Sequence, residues 1–441
     1  MTNQVKPIIF SNTLAFAKKM DKGDPLRHFR KRFHFPKNTV EERNPDKIGK
    51  GSNKIYLCGN SLGLQPKTTK KYIQDLLDNW QNRGVEGHFT GNQPFADYTD
   101  VLNKKMATIV GAKPHEVAVM NTLTVNLHLL MVSFYRPTKE RYKILIDWNP
   151  FPSDRYAIAS QIRFHGLDPK MVIVEPQPKQ GSALIETEDI LQLIENEGDT
   201  IALILIGGIN YFSGQLYDLA KITEGGHRKG CFVGFDLAHA AGNVKLKLHE
   251  IGCDFAVWCT YKYLNSGPGA IGACFVHERH AHAELPRFEG WWGFDKATRF
   301  KMTPDFVPIG GAESWTLSTP PVLAMAAIHA SLEIFEEAGM DNLIKKSQQL
   351  TAFTAYLIQQ IPTDRIKIIT PTHPEQRGCQ LSIQVQGAEK SLFYKLLENG
   401  VVGDWREPNV IRVAPTPLYN SFQDAFNFVE ILKKLINLNH D

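Results

Sequence analysis

The sequence has no C-x-x-C pair among its six cysteines, which stand at positions 58, 231, 253, 259, 274 and 379. That scatter argues against a disulfide framework and against a metal site. Most of the six fall in apolar, strand-like runs, as buried reduced thiols do. The simplest address is the cytoplasm. No run approaches the ~18 apolar residues of a membrane span. The apolar patch near the N-terminus, Ile8-Ile9-Phe10, is too short for a signal-peptide core. Charge of one sign is not in excess: 50 Lys+Arg against 46 Asp+Glu leaves a net +4, which gives no electrostatic case for nucleic acid. The basic run Arg27 to Arg32 reads as a solvated face. Internal repeats and low-complexity stretches are missing as well.

What is present is ordinary globular material, 43% hydrophobic and 22% charged, enough for a large core and too balanced for disorder. At 441 residues the chain exceeds the size at which single cores tend to split, so two lobes or more are expected. Between about 115 and 280, short β-rich runs alternate with longer helical stretches. Val117–Met120 precedes a helix over Val125–Phe134, and Tyr142–Ile146 precedes another over Arg155–Phe164. Met171–Val174, Ile201–Ile206, Cys231–Phe235 and Phe255–Trp258 follow as strands. This is the pattern of βαβ units and a mostly parallel sheet covered on both faces. Further on, helices are expected over Val322–Glu337, Asn342–Gln360, Lys390–Asn399 and Phe422–Leu438. Strands fall at Ile366–Ile369, Leu381–Val385 and Val410–Val413. The expected division is an N-terminal segment, 1–50, packing on the smaller lobe, then a large α/β domain, 51–310, and a small α+β domain, 311–441.

Five places carry chemistry. Cys231 to Asp236 is an apolar run ending in a carboxylate, at a strand's C-terminal end where open α/β sheets bind ligands. A buried carboxylate there needs a partner. A protonated pyridine nitrogen is one; a helix N-cap or a metal ligand remains the alternative for Asp236 alone. Lys262 follows by 26 residues, directly after the run ending Trp258-Cys259-Thr260-Tyr261 and before Gly267-Pro268-Gly269. Lysine is rarely buried unless paired or chemically engaged, and a Schiff-base lysine is such a case. Asn121 to Asn126 joins a strand to a helix, which places hydroxyls and free N–H groups where phosphate binds, although Thr124 could merely cap the helix. Phe151 could stack on a flat ring, and Asp154 could bond a cofactor or only favour the helix start. Arg377, Arg406 and Arg412 lie late in the chain. Arg412 interrupts a strand pattern with a fork suited to a carboxylate, either a substrate's or a neighbouring acid's.

Together these motifs resemble those of the kynureninase family, within the fold-type I pyridoxal-phosphate superfamily related to class V aminotransferases. The resemblance runs through Tyr56–Gly63, Gly87-His88-Phe89, Asn121–His128, Phe151–Asp154, Gly234–Ala240, Trp258–Asn265, Gly290-Trp291-Trp292-Gly293 and Ile411–Asn420. It implies a large domain with a mostly parallel seven-stranded sheet, bound pyridoxal 5'-phosphate, and hydrolysis of kynurenine or its 3-hydroxy form. In that scheme Lys262 carries the cofactor and Asp236 pairs with the pyridine nitrogen. Phe151 stacks on the ring, Asp154 and His239 support it, and Leu123, Thr124 and Tyr261 reach the phosphate. Gly207 lines the site where some relatives carry serine. Trp291 and Thr319 would come from a second subunit of a homodimer. Arg412 would clamp the substrate's carboxylate, with His88 and Ser318 near its aromatic ring. Thr319 replaces an asparagine found in some relatives, and the combination of His88, Ser318 and Thr319 mixes features of different subgroups, so the choice between the two kynurenines stays open. Phe212, in place of a tyrosine of some relatives, removes one hydroxyl near the site.

Two rivals carry different signatures. A cysteine desulfurase of the same fold needs a mobile C-terminal cysteine, and Cys379 sits at what reads as a buried strand's start. A catalytically dead relative would be expected to lose Lys262 or Asp236.

Overall fold

The computed structural model describes residues 8–38 and 51–437. Residues 1–7 and 39–50 of the expected N-terminal segment, and Leu438 at the last expected helix end, lie outside the described residues. The described strands run in chain order as β1 Ile55–Tyr56, β2 Val117–Val119, β3 Lys143–Ile146, β4 Ile173–Val174, β5 Ile201–Gly207, β6 Phe232–Asp236, β7 Phe255–Trp258, β8 Ala273–Val276, β9 Ile366–Ile368, β10 Leu381–Val385, β11 Val401–Val402, β12 Asp404–Arg406 and β13 Val410–Val413.

By compactness the chain falls into two units: one of residues 60–340 with 371–378, the other of 1–59, 341–370 and 379–441. The first holds a seven-stranded sheet ordered β2-β8-β7-β6-β5-β3-β4. Five neighbouring strands, β7-β6-β5-β3-β4, pair in parallel. Strand β8 is antiparallel to both β7 and β2, so β2 again points the same way as the five. Ile201 to Ile206 are all buried, as a strand covered on both faces requires. Helix Leu123–Phe134 packs on β7 and β8, and helix Leu219–Arg228 on β6. Phe134 stacks at 22° on Phe255, 5.0 Å between centroids, inside a core that includes Leu130, Ile146, Leu203 and Trp315. Each such side chain removed from water contributes about 1.5–3 kcal/mol, against a conformational cost of similar total size.

The second unit is built on an antiparallel sheet ordered β12-β13-β10-β9. Helix Phe422–Asn437 packs on helix Leu14–Gly23, and Phe353, Leu381, Ile411, Phe428 and Leu432 lie fully or nearly fully buried in its core.

Three local expectations need correction. Met171 and Val172 are helical, not strand: Asp168 accepts the Lys170 N–H (3.0 Å) and Pro169 opens the turn, so helix Pro169–Val172 forms first and β4 is only Ile173–Val174. The helix expected from Arg155 begins at Pro152, for the same reason of proline at the first position. The one expected from Val125 begins at Leu123, with Thr122 at its cap, so Thr124 is inside the helix and does not cap it. Helices Thr69–Arg83 and Tyr98–Val110, and strand β8, were not foreseen.

Candidate active site

The carboxyl ends of β2, β3, β5, β6 and β7 open into one pocket. Its wall includes Leu123, Thr124, Phe151, Asp154, Gly207, Asp236, His239, Tyr261 and Lys262, brought together from the five connections that leave these strands. Asp147, Pro150, Ser153, Ile209, Tyr211 and Ala238 complete it. All nine of the first group were singled out by sequence; the other six were not.

Asp236 ends β6, and its Oδ1 accepts the Ala238 N–H at 2.7 Å, which fixes the carboxylate at the strand terminus. Asp154 lies in the first turn of helix Pro152–Phe164. It is buried, and its Oδ1 has no hydrogen-bond partner. Burial, and next the neighbouring Asp236 carboxylate, push the Asp154 carboxyl well above its ordinary range, with Lys262 opposing. An orphaned buried oxygen beside a second acid is a costly arrangement unless a ligand completes it.

Lys262 Nζ lies 5.8 Å from the Phe151 ring centroid and 5.9 Å from that of Tyr261. The loop carrying it is held from behind: the Gly63 N–H donates to Tyr261 O at 2.8 Å, and a Cβ on Gly63 would collide with Lys262 O. That close approach explains one glycine of the Tyr56–Gly63 motif. Burial raises the Tyr261 phenol above its ordinary value, with Cys259 adding to it, so the hydroxyl keeps its proton at neutral pH.

Thr124 Oγ1 and Ser153 Oγ stand 2.9 Å apart, each in the first turn of a helix. The N-cap Thr122 makes no side-chain bond to that helix end. The two helix starts therefore offer N–H groups and hydroxyls to an anion. Asn121, Asn149 and Asn265, in the connections that follow β2, β3 and β7, have φ of 48°, 47° and 52°, the left-handed region an asparagine tolerates better than most.

Five expected residues are not among the walls of this pocket. His88 ends the turn Gly84–His88, with its ring edge-on to Phe95 at 5.6 Å. Trp291 is 43% exposed and meets Phe300 edge-on at 5.5 Å. Ser318 and Thr319 are exposed, ahead of helix Val322–Ala338. Arg412, in the other unit, is fully buried; its Nε donates to Asp404 Oδ1 at 2.7 Å and its Nη2 to Asp404 Oδ2.

A lysine just beyond the strand next to an acid-ended strand, under a mixed seven-stranded sheet, defines the class: the fold-type I architecture of pyridoxal-phosphate enzymes. Solved structures agree on that fold. The cystine C–S lyase C-DES, in complex with cysteine persulfide, superposes with TM-score 0.71 at 17% identity, covering 87% of this chain and 97% of that one. The cysteine desulfurase CsdA from Escherichia coli gives 0.72 at 14% identity, over 94% and 98%. Residues 343–432 match the family model described as the kynureninase C-terminal domain. The kynureninase of Myxococcus xanthus is 52% identical over 97% of this chain and 98% of its own length. That of Koribacter versatilis is 54% identical over 98% and 99%. The chain belongs to the kynureninase family.

Proposed function

We infer that the chain hydrolyses the Cβ–Cγ bond of L-kynurenine, or of its 3-hydroxy form, to anthranilate, or 3-hydroxyanthranilate, and L-alanine, using pyridoxal 5'-phosphate. Such a step belongs to tryptophan breakdown or to nicotinamide precursor supply. The observation that carries this reading is the meeting of Lys262, Asp236 and the orphaned Asp154 oxygen in one pocket.

The residues fit the cofactor part by part. Lys262 would hold its aldehyde carbon and Asp236 its ring nitrogen. Asp154 and His239 would stand beside the ring, and the half-exposed Phe151 ring would lie against its face. Leu123, Thr124, Ser153 and Tyr261 would receive the phosphate at the helix starts. When bound, the cofactor supplies an electron sink for negative charge at the substrate's α-carbon. Lys262 Nζ would take the proton from the substrate's α-carbon. Asp236 would hold the proton on the ring nitrogen. Water adds across the γ-carbonyl, the Cβ–Cγ bond breaks with its electron pair left on Cβ, and Tyr261 Oη, held as a phenol, would relay the hydrate's proton to Cβ. Arg412 binds the substrate's α-carboxylate, with Asp404 fixing the plane of its fork. His88 and Ser318 contact the aromatic ring.

The working form is a homodimer in which Trp291 and Thr319 reach the neighbouring subunit's phosphate site. The exposed aromatic group of Trp291, Phe300 and Phe89 supports this, since large apolar side chains rarely cluster in water without a partner. Six free, buried cysteines support a cytoplasmic setting. No described helix is long and apolar enough to cross a membrane. Cys379 is fully buried, which disfavours desulfurase chemistry.

The deciding experiment follows anthranilate fluorescence with kynurenine as substrate, beside sulfide release from cysteine, using protein reconstituted with pyridoxal phosphate. Anthranilate release that disappears on borohydride treatment, with label in peptide 258–265, is the expected result. Sulfide without anthranilate overturns the reading. Mixing the separately inactive K262A and W291A variants should restore part of the activity if sites are shared.

A further inference from the structure

A buried acid on the pocket wall, Asp147, has no part in the scheme above. It stands one residue beyond β3, 3% exposed, and its two oxygens are both engaged by a segment more than sixty residues later. Tyr217 Oη donates to Oδ1 at 2.6 Å, and Asn210 Nδ2 donates to Oδ2 at 3.1 Å. Asn210, itself 1% exposed, also donates to Trp148 O at 3.1 Å. Its Oδ1 accepts the Phe212 and Ser213 N–H groups, at 3.1 and 3.0 Å. The segment from Asn210 to Tyr217 is thus bolted at both ends to one carboxylate.

Between those bolts stands Tyr211, on the pocket wall. Its ring meets Phe151 edge-on, 5.4 Å between centroids and 83° between planes. The Phe151 ring lies 5.8 Å from Lys262 Nζ. We propose that Asp147 is a positioning residue of the site: through Asn210 and Tyr217 it sets Tyr211, and through Tyr211 the plane of Phe151 against which the cofactor ring lies. The inference rests on the cofactor reading above.

Asp147 also stands in a charged neighbourhood. Asp154 on the helix after it and Glu175 beyond β4 face it with like charge, Glu175 being tied to Arg155 at 2.7 Å; across the pocket stand Asp236 and Lys262. Burial pushes the Asp147 carboxyl up to about 7, while the bonds from Tyr217 and Asn210 resist that rise. Its proton occupancy therefore changes across the working range, and the bolt changes with it.

The test is a titration of the apo-protein with pyridoxal phosphate between pH 6 and 9, read by absorbance and by circular dichroism of the bound cofactor's visible band. Three proteins are compared: the parent, D147N and Y217F. In D147N one oxygen still accepts from Tyr217, but an amide faces the Asn210 amide, donor against donor. Affinity should fall about tenfold in D147N and about threefold in Y217F, the scale of one lost charged or neutral hydrogen bond. The visible dichroic band per bound cofactor should shrink in both, and the inflection of affinity near pH 7 should vanish in D147N. Unchanged affinity, band and pH profile in folded variants overturn the proposal; should D147N not fold, Y217F alone decides it. A parent protein that binds no pyridoxal phosphate is a different outcome: it sinks the cofactor reading and the positioning role with it.

Discussion

Two aspartates at opposite ends of the same sheet are buried equally and behave oppositely. Asp147, at the carboxyl edge, and Asp254, at the amino edge just before β7, are each 3% exposed. Asp254 accepts from His227 Nε2 at 2.9 Å, from His280 Nε2 at 2.8 Å, from Arg279 Nη2 at 3.0 Å and from the Val233 N–H at 2.7 Å. Burial alone would raise its carboxyl, but these donors outweigh burial and hold it well below the ordinary range. Glu116, another buried acid at that edge, is likewise filled, by the Lys113 and Glu278 N–H groups and His249 Nδ1. At the carboxyl edge three acids, Asp147, Asp154 and Asp236, share a wall on which Lys262 is the lysine, and one acid oxygen has no partner. One end is closed electrostatically and holds the fold. The other is left incomplete, which is what a ligand site requires.

The sharpest way to break this contrast is K262A. Turnover of kynurenine should drop by more than about 1,000-fold, since the side chain serves both as cofactor anchor and as base. The melting temperature of the apo-protein should hardly move. D236A comes next, with a fall of about 100-fold or more in kcat at saturating cofactor, because the ring nitrogen loses its counter-charge. Y261F should cost about 10- to 100-fold if the phenol relays a proton; undiminished turnover removes that role. D254N does the reverse of these. Unpairing the cluster should cost about 2–4 kcal/mol of stability in urea unfolding, below the full buried-pair value because His227 and Arg279 are partly exposed. Activity per folded molecule should be kept.

The smallest effect sharpens the comparison through pH. The raised Asp147 carboxyl means the folded state prefers its protonated form, so its contribution to stability is present near pH 4 and is lost as pH rises to about 7. The depressed Asp254 carboxyl contributes stability above about pH 4 that is lost as pH falls below it. Apo-protein melting curves from pH 3 to 8 should therefore show a shallower decline toward neutrality in D147N than in the parent. The acid-side loss should be shallower in D254N.

Sequence alone made the acid and the lysine legible because each sits where an apolar strand pattern stops, and strand ends are visible in a local window. Phe151 and Thr124 were legible for the same reason. Asp147 also ends such a pattern, in Ile144–Trp148, but its meaning depends on Asn210 and Tyr217, and no local pattern announces a pairing across more than sixty residues. The reversal of β8 was equally hidden. Ala273–Val276 reads the same in either direction, and the 14 residues after β7 are spent on the lysine loop, with no crossover helix to bring the chain back in parallel. The helices Thr69–Arg83 and Tyr98–Val110 pack on helix Val322–Ala338, far along the chain, as well as on the turn Gly84–His88 and β2 beside them, and no local window shows the distant partner.

The three left-handed asparagines in the connections that carry the pocket wall have a cost of their own. Each holds its connection in a shape most side chains resist, at about 1 kcal/mol apiece, and the bare protein already bears that expense before any small molecule arrives. A guest entering such a cleft finds its corners already turned and gives up little of its binding strength to ordering them. Glycine at the same three corners would slacken these connections, and the entering molecule would then have to do the tightening.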